Sequence, residues 1–147
     1  MKSIFDPLVK KELHQRISQL SENSQPQWGK MTVAQMLWHC QFPLKLAITN
    51  KARKKFGNFI AKLFFKKMLY NNKPWRKNLP TVKIAKASAP KEFAMEKLIL
   101  EQLIEDMHLT KDRTSWNPHP IFGTFSHAQW GQLSYKHLDH HLQQFGV

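Results

Sequence analysis

Apolar residues recur every three to four positions in four separate stretches of the chain, and no stretch alternates apolar and polar residues in a sustained way. The first stretch predicts a helix from about Asp6 to Ser21, with Asp6 as N-cap, Pro7 at the first helical position, and a stripe of Val9, Leu13, Ile17 and Leu20. The second predicts a helix from the cap Thr32 to about Thr49. Val33, Leu37, Cys40, Leu44 and Ile48 line one of its faces, and Met36, His39, Pro43 and Leu46 a second. A helix apolar on most sides belongs at the centre of a bundle, and Pro43 inside it predicts a kink just after His39. The third runs from Ser88 or Pro90 to Leu109 on Phe93, Leu100, Leu103, Ile104 and Met107. The fourth is capped by Ser126 and ends at Phe145, before a terminating Gly146.

The connections differ in kind. Ser24 to Gly29 reads as a loop, and Asn117-Pro-His-Pro-Ile-Phe-Gly123 as a rigid turn. Lys51 to Leu69 is an amphipathic basic segment, with Phe56, Phe59, Ile60, Leu63 and Phe64 on one side and lysines on the other. From Asn71 to Pro90 a long irregular connection follows. The expectation is an all-α fold: a four-helix bundle with a basic, partly helical insertion between the second and third main helices.

With 147 residues the chain has the length of one domain, 1–147, able to bury one sizeable core. At 41% hydrophobic it is neither disordered nor fibrous. The single cysteine, Cys40, excludes an internal disulfide framework and a cysteine-only zinc site. Met31 to Leu44, the longest charge-free stretch of the first half, is too short to span a bilayer, and the N-terminus lacks the apolar run of a secretory signal, so a cytoplasmic location is expected.

Charge changes the picture in the middle of the chain. Between Asn23 and Lys91 there is no Asp or Glu, yet fifteen of the 23 Lys and Arg residues fall there, which accounts for the net charge of +13. Such a block attracts polyanions or an acidic membrane surface in a salt-dependent way, or it is simply a solvated basic face. Nucleic acid or an acidic membrane bound through segment 45–91 is thus an alternative partner, although no recognised nucleic-acid motif accompanies it.

The candidate chemistry lies in the last helix. On a wheel at 100° per residue, Trp130, Leu133, Ser134, His137, His141 and Gln144 share one side, with Asp139 opposite. His137 and His141 are one turn apart, the spacing at which two imidazoles share a metal ion. Burying two such rings without a shared partner is costly. A third ligand must come from another helix, and His39 in the apolar central helix is the best candidate. His140 sits on the flank, where it can bond a substrate, act as acid or base, replace His141 as a ligand, or be structural. Gln143 or Gln144 is placed to orient a ring from behind. Cys40 reads as a buried inert thiol, His119 as a turn residue within reach of the site's mouth, His14, His108 and His127 as surface residues, and Trp28, Trp38 and Trp130 as core.

Trp28-Gly-Lys-Met-Thr32, Met36-Leu-Trp-His39, His119-Pro-Ile-Phe-Gly123, Trp130 and His137-Leu-Asp-His-His-Leu-Gln-Gln-Phe-Gly146 together resemble an uncharacterised branch of the DinB/YfiT-like superfamily of metal-binding helical bundles. The resemblance covers nearly the whole chain. It implies a divalent metal ion, zinc or nickel, held by His39, His137 and His141 at one end of the bundle. Some superfamily members are thiol S-transferases, and many have no assigned reaction. The expectation is therefore a metal-dependent enzyme, a thiol S-transferase or hydrolase, acting on a small-molecule substrate such as a thiol, with His140 as a candidate catalytic residue. A metal-containing bundle without catalysis is the alternative beside the basic binding module, and a homodimer is compatible with either.

Overall fold

The computed structural model describes residues 1–51, 65–81, 85–87 and 89–147. Among them it has four α-helices, α1 Pro7–Ser18, α2 Val33–Thr49, α3 Phe93–Leu109 and α4 His127–Gln144, and no strand. Short 3-10 turns lie at Lys67–Leu69 and Thr110–Asp112, and an isolated antiparallel bridge pairs His119 with Gly123.

Each helix starts where a side chain can satisfy its free N–H groups. Asp6 accepts from Leu8 N, with Pro7 at the first position of α1. Thr32 with Gln35, and Ser126 with Gln129, form reciprocal capping boxes on α2 and α4. Helix α3 begins later than the sequence pattern suggests, because the Glu92 carboxylate accepts from Ala94 N and Met95 N and so sets the first turn at Phe93 rather than at 88 or 90. Helix α1 ends earlier, at Ser18, where Gln19 N and Leu20 N fold back onto Arg16 O and Ile17 O. Leu20 stays buried all the same. At the end of α2, Asn50 adopts a left-handed conformation (φ 44°), and the Arg113 guanidinium donates to Ala47 O and Ile48 O at 3.0 and 3.2 Å. Pro43 lies inside α2 as expected.

The core combines the predicted stripes of α1, α2 and α3 with Leu138 and Leu142 of α4, which lie beside the stripe expected there because α4 is buried on most of its sides. Leu13 and Ile17 of α1, Met36, Leu37 and Leu44 of α2, Leu100, Ile104 and Met107 of α3, and Leu138 and Leu142 of α4 are all but inaccessible to water. Helix α2 packs most extensively against α3 and also against α4, which makes it the central element. Polar pairs set the registers at the rim: Arg16–Asp139 at 2.7 Å ties α1 to α4, and Glu105 receives Lys10 at 2.6 Å and His14 at 2.7 Å, tying α1 to α3. The N-terminal strap crosses α4 at Gly131, where Ile4 N donates to Gly131 O and a Cβ would lie 2.2 Å from the Ser3 hydroxyl.

Several expectations about surfaces are corrected. His14, His108 and His127 are half-buried, because each has a partner: Glu105, the Ile4 carbonyl, and a stacked Phe5 ring respectively. Trp130 is core, but Trp28 and Trp38 are half-buried and lie beneath the ammonium groups of Lys77 and Lys91. The helical insertion expected over 51–69 falls largely on residues 52–64, outside the described residues; its end is the turn at Lys67–Leu69. The described parts of 71–90 form an irregular connection, as expected.

Candidate metal centre

Three histidines from two helices meet inside the bundle. His39 on α2 is 6% exposed, and His137 and His141 on α4 are 9% and 8% exposed. One nitrogen from each lies within 4.8 Å of the other two. The Nε2 atoms of His39 and His137 are 3.1 Å apart, and the ring centroids are separated by 4.7 to 5.0 Å. The helical spacing of His137 and His141 sets those two rings side by side, and the packing of α2 against α4 brings His39 to them.

Hydrogen bonds on the outer side decide where the ring protons sit. Nδ1 of His39 donates to the Ala85 carbonyl at 2.8 Å. Nδ1 of His141 donates to Gln144 Oε1 at 2.9 Å, and the amide of Gln144 is itself oriented by donating to the Trp28 carbonyl at 2.7 Å. A neutral imidazole carries one proton, so Nε2 of both His39 and His141 is left with a free lone pair. Burial and mutual repulsion keep all three rings neutral. Desolvation lowers His39, holds His137 well below its usual value, and brings His141 down to about 3.

The cluster therefore has too few protons for its acceptors. His137 can donate to His39, but no second N–H within the trio serves His141. A cation is the partner that satisfies three converging imidazole lone pairs at once, and the residues present fit one. Around a tetrahedral zinc with Zn–N near 2.1 Å, ligand nitrogens sit about 3.4 Å apart, close to the His39–His137 separation of 3.1 Å.

Two cavities adjoin the cluster. The larger, about 400 Å³, has an apolar wall that includes Phe42, Leu46, Met68, Trp75, Ile121 and Phe122. The smaller, about 300 Å³, is lined by Trp28, Lys30, Gln35, Lys86 and Gln144. His140 and His141 face both. His140 is half-buried between the two indoles, with centroids 5.7 Å from Trp28 and 5.5 Å from Trp75, and burial lowers its pKa.

His39, His137 and His141 thus come together, and His140 stands beside them without joining the trio. Of the two glutamines, Gln144 reaches a ring, whereas Gln143 bonds to Asp139. Cys40 is fully buried on the core face, bonded to Met36 sulfur at 3.7 Å, and burial pushes its thiol far up. Sequence reasoning missed the Ala85 carbonyl, which no residue type advertises, and also Trp75 and Lys136. The Lys136 ammonium, buried on α4, donates to Met68 O, Asn71 O and Asn71 Oδ1 at 2.6 to 2.9 Å and so fastens the Trp75 wall, while burial brings its pKa down to about 8. Its neighbour in sequence, His137, was the visible signal.

Fold and site together define a helical bundle with a buried three-histidine cluster capable of holding a metal ion. Over residues 8–146 the chain belongs to the family described as Protein of unknown function (DUF1569). No curated protein and no solved structure matches it.

Proposed function

We propose that this protein is a metal-dependent enzyme in which His39, His137 and His141 hold one divalent ion, zinc or nickel, and that its family is a branch of the DinB/YfiT-like bundles. The observation that carries this reading is the outward fixing of the ring protons by Ala85 and Gln144, which leaves buried lone pairs converging on one point. Outer partners of this kind accompany metal-ligating histidines generally. Three protein ligands are the number typical of a catalytic zinc site, which keeps a position for substrate or water, whereas structural sites use four. Such an ion supplies a water or thiol nucleophile at neutral pH.

The protein's own residues do the rest. The apolar cavity wall flanks one side of the cluster, and Trp28 and Trp75 hold His140 at the edge of both cavities. From there His140 takes or gives the proton that the reaction moves, on a substrate that is a small organic molecule or thiol. The chemistry assigned is transfer to a thiol or hydrolysis. Elemental analysis of protein purified without a histidine tag tests the reading: one zinc or nickel per chain is the expected result, and a metal-free protein that takes up no ion from stoichiometric zinc would overturn it. In cobalt-substituted protein, azide or a small thiol should perturb the visible spectrum.

A further inference from the structure

The apolar wall of the larger cavity does nothing for metal binding, and its composition says what fits it. Among the described residues no Asp, Glu, Lys or Arg lines it. Beyond the three-histidine cluster and His140, the polar side chains are those of Thr81 and His119. A cationic ligand would give up its hydration there with no counter-charge among the described residues to replace it. The volume of about 400 Å³ is in the range of small-molecule sites.

His119 is locked in one tautomer by backbone it cannot move. Its Nδ1 accepts from Ile121 N at 3.1 Å and Phe122 N at 3.3 Å, inside a turn closed by reciprocal 2.9 Å bonds between His119 and Gly123. A nitrogen that accepts carries no proton, so the single proton of the neutral ring is on Nε2, the far side from the turn. Desolvation keeps the ring neutral, with a pKa of about 4. No protein acceptor meets that N–H among the described residues. It is a preset donor on a residue that lines an otherwise oily wall, where a ligand's acceptor atom gains a directed hydrogen bond.

We propose that this cavity binds an uncharged, largely apolar organic molecule carrying a hydrogen-bond acceptor such as a carbonyl oxygen, and that His119 Nε2–H donates to that oxygen. The proposal rests on the metal reading for the reaction such a molecule undergoes, but its binding is measurable with or without the ion. His119 is a positioning residue for the substrate's polar end, and Phe42, Leu46, Trp75 and Phe122 select its apolar body.

Two-dimensional NMR titrations of the full chain with acetophenone, α-methylstyrene (the same shape with CH2 in place of oxygen) and 1-phenylethylammonium test it, with metal content measured on the same samples. Acetophenone should shift Trp75, Ile121 and Phe122 and bind roughly fivefold more tightly than α-methylstyrene, the worth of one good hydrogen bond. The ammonium should not bind. In His119→Phe the preference for the ketone should fall to about onefold. In Ile121→Trp, which fills the cavity from a loop, the shifts should vanish while metal content is kept. Equal affinity of the ketone and the alkene for the unaltered protein, tighter binding of the ammonium, or unchanged binding in Ile121→Trp would overturn the proposal. If His119→Phe does not fold, the ligand comparison on the unaltered chain and Ile121→Trp still decide it. Protein that binds no metal but keeps the ketone preference would sink the metal reading and leave the cavity assignment standing.

Discussion

Oε1 of Gln144 accepts the Nδ1 proton of His141 at 2.9 Å from less than one helical turn further along the same helix. The amide of Gln144 is held by the Trp28 carbonyl, and Gly29 permits that approach, because a Cβ there would lie 2.7 Å from Gln144 Nε2. The side chain is thus a rigid bracket that presents Nε2 of His141 as a ligand. Gln144→Leu should leave all three histidines in place and weaken metal affinity about 10- to 100-fold, the usual effect of losing an outer partner. A chelator competition assay measures it, and unchanged affinity would show that the ring orientation does not depend on this contact.

The ligand assignment makes a sharper demand. His39→Ala, His137→Ala and His141→Ala should each abolish stoichiometric metal, whereas His140→Ala should retain it and lose activity. Full metal content in His39→Ala refutes the trio.

Acid should loosen the metal-free protein in a defined window. The rings of His119 and His141 are held at about 4 and about 3, below the 6.5 of a free histidine. Below 6.5 the unfolded chain takes up protons that the folded rings refuse. Stability therefore falls as pH drops from 6.5 toward 4, by up to about 1.4 kcal/mol per pH unit for each such ring, and above about pH 7 these rings contribute no slope. Glu105, lowered by its bond to Lys10, adds its loss only below 4.5. Urea midpoints at half-unit pH steps measure this, and His119→Phe should flatten the curve between pH 6.5 and 5. A flat curve in the unaltered protein would contradict buried neutral rings.

Lys136→Met keeps the length and apolar stem of the side chain but removes the donor shared by three acceptors; Met68 O and Asn71 Oδ1 keep Trp75 Nε1 and Lys73 N, while Asn71 O loses the one protein donor it has among the described residues. The expected cost is about 1–3 kcal/mol, with faster hydrogen exchange at residues 68–75 and little change in the core of α2. Thermal unfolding and amide exchange read the two effects separately.

Local sequence determined a large share of this molecule. Caps at Asp6, Thr32 and Ser126 and the 3.6-residue stripes follow from bonds and spacings within a few residues, so the four helices are legible in the order of residues alone, and with them the buried stripes of α1 to α3; Leu138 and Leu142 of α4 are buried off the stripe its spacing marks. His137 and His141 are legible for the same reason, since one helical turn places both rings on one side. The start of α3 is less legible, because a glutamate cap at Glu92 is a weaker signal than Ser88 or Pro90.

What tertiary structure decided are the relations between distant stretches. That His39 faces the other two rings depends on how α2 settles against α4, and helical spacing within α2 does not fix it. The proton positions depend on Ala85 and Trp28 carbonyls, which every residue possesses and only folding singles out. The half-burial of His14, His108 and His127 came from partners 91, 104 and 122 residues away. Short-range bonding is written in residue type; the meeting of surfaces is settled by close packing of the whole core, and with it the direction in which each imidazole points.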